Sequence, residues 1–212
     1  MNKPFLYTLS LIIFALVFSN SNKALSQVSN TFYIGAFAPQ FVVKDITGER
    51  FRNTNNQNQI ILLNFYRDIA CPVSIHYFYA IEQEKEFLEK HGIQVLAVFQ
   101  SDVDKINRFK DTFTFFQKMI ADPTGQLFEQ FQVEQNAAKC KTGFLTSAHK
   151  KAYSGSQRID ERVKVDKNSN YLPAQFIISP EGNFKRIHYG KRLGDNIPIQ
   201  KLKSWIEKNP QQ

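Results

Sequence analysis

The spacing of apolar positions changes several times along the chain, and each change predicts an element. Ile60 to Tyr66 is an almost unbroken apolar run, the pattern of a central strand buried on both faces. From Pro72 to Lys90 the period switches: Val73, Tyr77, Ala80, Ile81, Phe87 and Leu88 recur at helical spacing, and His91-Gly92 ends the helix with a glycine. Ile93 to Phe99 is the next strand. Ser101-Asp102 caps a further helix with Ile106, Phe109, Phe113 and Phe116 on its apolar side, and Met119-Ile120-Ala121 is a short strand. Asp122-Pro123-Thr124-Gly125 then turns the chain into a short helix ending near Phe131.

Ahead of this stretch, Phe41-Val42-Val43 is extended and Thr47-Gly48 marks a hairpin turn, followed by a polar loop from Asn53 to Gln59. Behind it, residues 134–170 are polar, Lys-rich and without clear periodicity, an insertion of a length that is usually functional or mobile. Order returns with a strand from Gln175 to Ser179, a turn at Pro180-Glu181-Gly182-Asn183, a partner strand from Phe184 to Tyr189 and a terminal helix from Pro198 to Lys208. Strand–helix–strand units followed by a β-hairpin and a helix predict an α/β fold, a central mixed sheet with helices on both faces and an N-terminal β-hairpin.

The first residues add a compartment to this picture. Lys3 gives a positive start, Phe5 to Phe18 is mostly apolar, and Ala24-Leu25-Ser26 supplies small residues at cleavage spacing, so residues 1–26 read as a secretory signal peptide. The apolar run is shorter than the roughly 20 residues a spanning helix needs, so contact with a membrane is expected only through an uncleaved leader. Residues 27–212 are expected to form one exported domain, periplasmic or secreted, with the insertion inside it. Loss of the leader, which carries Lys3 and Lys23 and no acid, takes the formal charge from +8 to about +6. The basic residues are scattered, with short clusters at His149-Lys150-Lys151 and in the mixed run 158–162; this is a solvated surface and not a nucleic-acid footprint.

The candidate chemistry lies where the central strand turns into the following helix. Of the two cysteines in the chain, Cys71 falls at this turn and Cys140 in the insertion. A cysteine attacks only as thiolate, and an exposed helix N-terminus favours that form through unpaired backbone N–H groups and the helix dipole. Pro72 suits the first helical position, where its missing N–H costs nothing. Ser74 lies one turn on, where its hydroxyl can donate to a thiolate or a bound oxyanion, and Arg67 adds positive charge if it turns toward the site.

These residues carry a resemblance. Gly35-x-x-Ala38-Pro39-x-Phe41, the Thr47-Gly48 turn, Leu63-Asn64-Phe65-Tyr66-Arg67 with Cys71-Pro72, Asp122-Pro123-x-Gly125, and Leu172-Pro173-Ala174-x-Phe176-Ile177-Ile178-x-Pro180-x-Gly182 are similar to the peroxiredoxin-like group, the alkyl hydroperoxide reductase and thiol-specific antioxidant branch of the thioredoxin fold. The resemblance covers residues 33–133 and 171–207. It implies a thioredoxin-like fold and a thiol-dependent oxidoreductase with antioxidant, peroxidase-like activity, acting on a peroxide or a disulfide with an external thiol as reductant. No cofactor and no metal are called for. Pro173 resembles the cis-proline that faces the active cysteine in this fold.

The departures narrow this expectation. Laid on this chain, the Pro-x-x-x-Thr-x-x-Cys motif of peroxiredoxins puts its Pro on Arg67, its Thr on Cys71 and its Cys on Ser74. The arginine expected near Pro173 is also missing. The site is more similar to thioredoxin-type Cys-Pro-x-Cys with serine at the second position, so an oxidised Cys71 needs an external thiol or Cys140 to clear it. Lys139 and Lys141 beside Cys140 would lower its pKa if they approach the sulfur. A reversible disulfide between the cysteines, a permanent one and two unpaired thiols all remain open at the level of sequence. Two other readings stand beside the leading one besides a disulfide reductase. One is a copper-binding variant of the fold, opposed by Ile75 where a second cysteine would stand and by the poor spacing of His76. The other is a non-catalytic binding module that docks a partner on Tyr77-Phe78-Tyr79.

Overall fold

The computed structural model describes residues 32–54, 59–110, 115–143 and 164–209. The leader with its cleavage point, Phe113, and the middle of the 134–170 insertion lie outside these residues. In chain order the elements are β1 (Val42–Lys44), β2 (Arg50–Arg52), β3 (Ile60–Tyr66), α1 (Pro72–Glu82), α2 (Lys85–Lys90), β4 (Ile93–Phe99), α3 (Val103–Lys110), β5 (Lys118–Ala121), α4 (Gln126–Gln130), α5 (Ala137–Gly143), β6 (Ala174–Ile178), β7 (Phe184–Tyr189) and α6 (Ile199–Lys208).

A strongly apolar strand takes the centre. All of β3 is buried, because it pairs in parallel with β4 on one side and antiparallel with β6 on the other. The sheet order is β5-β4-β3-β6-β7, mixed as expected, and β1 and β2 form a separate antiparallel hairpin. Its turn is held by the Asp45 carboxylate, which accepts from the Thr47 and Glu49 N–H groups at 2.8 and 3.0 Å.

Successive residues of β3 point to opposite faces. Tyr66 meets Tyr77 and Phe78 of α1 and stacks on Phe99 of β4 at 5.0 Å, in the core beneath α1, α2, α3 and α6. Phe65 meets Phe128, Phe131 and Phe176 on the other face, which α4 and Phe41 close. Under α1, Gln175 of β6 donates to Asn64 Oδ1 and the Tyr77 hydroxyl, both at 2.9 Å, and accepts from the Ile197 N–H. This buried amide ties β3, β6, α1 and the approach to α6 into one frame.

Three details differ from the sequence reading. The helix expected from Pro72 to Lys90 is two helices, interrupted at Gln83 and Glu84. Tertiary ties lie on both sides of the break: Glu82 accepts from the Phe116 and Gln117 N–H groups, and Glu84 pairs with Lys203 of α6 at 2.6 Å. Phe116 lies beyond the end of α3. The run Tyr77-Phe78-Tyr79 is not a docking surface, since Tyr77 and Phe78 are buried in the core and Tyr79 is half-buried.

Candidate active site

The site is built at the carboxyl end of β3, where an open α/β sheet presents its loops. Asp68 organises the turn that leaves the strand. Its Oδ1 accepts from the Ala70 N–H at 2.7 Å, its carbonyl accepts from the Cys71 N–H at 3.0 Å, and Ser101, just past β4, accepts from the Ile69 N–H at 3.1 Å. Three consecutive N–H groups are thus satisfied before the helix starts. The buried Asp68 Oδ2 accepts from Lys105 Nζ at 2.7 Å and from the Asp166 N–H at 2.9 Å, so the same carboxylate fixes α3 and the segment leading to β6.

Cys71 is the N-cap of α1, with Pro72 in its first turn. The Cys71 carbonyl accepts from the Ile75 N–H at 3.0 Å, while the sulfur makes no capping hydrogen bond. Ser74 shares this first turn and is buried. The placement at a helix N-terminus agrees with the sequence reading; the expected exposure does not. Cys71 is 0% exposed, enclosed in a small apolar cluster with Val73, Leu193 and the half-buried Val165.

Leu193 joins this cluster from the turn between β7 and α6. That turn is closed by Asp195, whose carboxylate accepts from the Lys191 N–H at 2.8 Å and whose carbonyl accepts from His188 Nε2 at 2.8 Å. Gly194 adopts φ 82°, which lets the chain reverse directly after Leu193. At the root of the turn, Gly190 donates to the Pro173 carbonyl at 2.8 Å. A Cβ on Gly190 would fall 2.7 Å from Pro173 Cγ and 2.6 Å from the Asp195 carbonyl oxygen.

Pro173 is where the cis-proline was expected, and this expectation is corrected: no peptide bond among the described residues is cis. The register that pairs Phe65 with Ala174 sets Pro173 beside the end of β3. There it starts β6 in the ordinary trans form, at a position where a missing N–H is tolerated. Its ring packs against Gly190 and so supports the turn that carries Leu193.

Cys140 lies in α5, within the insertion, and is also buried. Its thiol donates to the Asn170 carbonyl at 3.3 Å and lies 3.7 Å from that of Tyr171. Burial pushes its pKa above the ordinary thiol value; the nearby Arg67 charge opposes this, and Cys71 and Glu134 add to it. The lowering expected from Lys139 and Lys141 is therefore corrected. Lys139 is drawn to Glu134, at 2.7 and 2.8 Å, and Lys141 is exposed. Arg67 is the cation that acts on this sulfur. It is buried, donates through Nε to the Ser169 carbonyl, and accepts at its own carbonyl from the Ser169 hydroxyl at 2.6 Å.

Residues 166–172 are thus tied to the surroundings of both cysteines. One side is bonded to Arg67 and Asp68, and the other to α5 and its approach through Asn136 to Asn170 at 2.8 Å and Leu172 to Glu134 at 2.9 Å. Asp68, Ser169 and Leu193 were not singled out from the sequence. An acid two residues after a mostly apolar strand, and a leucine alone in the polar turn Lys191-Arg192-Leu193-Gly194-Asp195, are the signals that mark two of them.

With this geometry in hand, comparison with known proteins is decisive for the family. The AhpC/TSA family model matches residues 34–187, from the segment before β1 into β7. The chain belongs to the AhpC/TSA family. It is 28% identical over 104 residues to Peroxiredoxin Bcp of Escherichia coli K12, a match spanning 49% of this chain and 67% of that protein. Among solved structures, Peroxidoxin BcpB of Mycobacterium tuberculosis superposes with a TM-score of 0.58 at 14% identity, over 84% of this chain and 99% of the other. Peroxiredoxin 6 of Arenicola marina superposes with a TM-score of 0.59 at 15% identity, over 84% and 73%. These likenesses give the AhpC/TSA chain its thioredoxin-type fold. Family membership implies thiol chemistry, with peroxides or disulfides as oxidants and thiols as reductants.

Proposed function

We propose that this protein is an exported thiol peroxidase whose nucleophile is Cys71. The observation that carries the reading is the position of Cys71 in an AhpC/TSA-family chain: it caps α1 at the end of the central strand, on a turn fixed by Asp68. A thiolate here lies at the positive end of the helix dipole. It attacks the distal oxygen of a hydroperoxide; the O–O bond breaks, the alkoxide takes up a proton and leaves as alcohol or water, and the sulfur is oxidised to sulfenic acid. A second thiol then attacks the sulfenic sulfur, forming a disulfide and releasing water. An external dithiol returns the enzyme to the reduced state by exchange. Cys140 is the internal candidate for the second thiol. Export rests on the leader at residues 1–26.

The test is peptide-resolved mass spectrometry after one equivalent of hydrogen peroxide. Sulfenate at Cys71, or a Cys71–Cys140 disulfide, is expected; neither product forming would sink the reading. A disulfide reductase is the second reading, supported by the thioredoxin-type Cys71-Pro72-Val73-Ser74, and faster turnover of insulin disulfides than of peroxide would favour it.

A further inference from the structure

We propose that Leu193 determines specificity at the Cys71 site: it closes over the sulfur, admits small hydroperoxides and keeps out the disulfides of folded proteins. The inference rests on the reading of Cys71 as nucleophile and adds the residue that selects among its oxidants. A thiol–disulfide exchange with a protein needs three sulfurs nearly in line, so the partner's surface must come down onto Cys71. A sulfur with no exposed surface cannot be met in that way, whereas a hydroperoxide needs only a brief, small opening.

The closure has an identifiable builder. Val73 belongs to α1 itself, and among the described residues the remaining members of the apolar cluster come from elsewhere in the chain: Val165, half-buried, and Leu193, 2% exposed. Leu193 projects inward from a turn whose neighbouring residues, Lys191 and Arg192, are exposed. The turn is braced, since Asp195 accepts hydrogen bonds at both its carboxylate and its carbonyl, and Gly190 is packed on Pro173. Leu193 is therefore held in the same apolar cluster as Cys71 on a fixed support. Opening it exposes an apolar side chain to water at about 0.8 kcal/mol per methylene, so truncation makes opening easier by a calculable amount.

The experiment compares labelling of Cys71 in the reduced protein by a small reagent, methyl methanethiolsulfonate, and a bulky one, fluorescein maleimide, each read at the Cys71 peptide. In the native protein the small reagent is expected to react far faster. Leu193→Ala should raise the bulky rate roughly tenfold or more and the small rate less than about threefold, and Leu193→Met should keep the native ratio. The Ala variant should also gain rate with insulin disulfides relative to hydrogen peroxide. An unchanged bulky-to-small ratio in a folded Ala variant overturns the proposal. If that variant does not fold, Leu193→Val, which removes one methylene, should shift the ratio about fourfold, and no shift there overturns it equally. Labelling does not depend on peroxidase activity, so the two readings fail separately. A shifted ratio without peroxide-dependent sulfenate removes the peroxidase and leaves the gate; sulfenate with an unshifted ratio does the reverse.

Discussion

Cys71 and Cys140 are both buried, and their surroundings give the same side chain opposite characters. Cys71 is grouped with Val73, Leu193 and Val165 at the start of a helix, and its sulfur makes no capping hydrogen bond. Cys140 points its S–H at the Asn170 carbonyl, with that of Tyr171 close by, and burial raises its pKa. Cys71 stands at the start of a helix, and the Cys140 sulfur faces acceptors. The two buried cysteines therefore differ in the peptide groups nearest them, a helix start at Cys71 and two carbonyls at Cys140.

The contrast can be broken in several ways. Cys71→Ser should lower peroxide-dependent thiol oxidation by roughly a thousandfold or more, while Cys140→Ser should leave the first oxidation intact and lengthen the life of the sulfenate, both read by mass spectrometry and stopped-flow consumption of peroxide. Asp68→Ala removes the acceptor of two backbone N–H groups and the partner of Lys105. It should cost about 3 kcal/mol in urea unfolding, with Asp68→Asn costing less because its carbonyl still accepts. Gly190→Ala drives a methyl into Pro173 and the Asp195 carbonyl and should cost about 1–3 kcal/mol, with faster bulky labelling of Cys71 and unchanged labelling of Cys140.

Titration sharpens the same comparison. Because the folded-state pKa of Cys140 is raised, its alkylation should be slow at neutral pH and climb only above the ordinary thiol range. The raised pKa also means that stability is fully present below the unfolded thiol pKa and is lost as pH rises through the folded one. Tyr66 and Tyr77, raised by burial, and Tyr189, pushed up to about 12, act with the same sign above pH 10, the ordinary tyrosine value. Urea midpoints should therefore fall progressively on the alkaline side. The smallest effect is expected from Lys139→Ala, which should change the Cys140 labelling rate less than about twofold, because that ammonium is bound to Glu134 in an exposed pair.

Features set by neighbours along the chain were legible in the sequence. β3 follows from an unbroken apolar run, the Cys71-Pro72 helix start from the chemistry of proline, and the α3 start from Asp102, which accepts from the Lys105 N–H at 2.7 Å. What escaped depends on partners distant in sequence. Exposure of Cys71 was expected from its place at a helix N-terminus, and among the described residues Val165 and Leu193, far off in sequence, join Val73 in the cluster that encloses it. The charge on Lys139 was expected to act on Cys140, but side-chain reach lets it bond Glu134, five residues back. The Pro173 peptide is trans, and its packing on Gly190 had no local signature.

The cover over Cys71 also has a history in time. Val165 and Leu193 are synthesised long after Cys71, and the bonds from Asp166 and Ser169 to the Cys71 turn close loops of about 100 residues, contacts of high order that form late. A chain emerging from the ribosome therefore carries Cys71 as an open thiol until its last third has folded back. The finished protein is selective about what reaches this sulfur; the newborn one is not, and its safe passage depends on how quickly the far end of the chain returns.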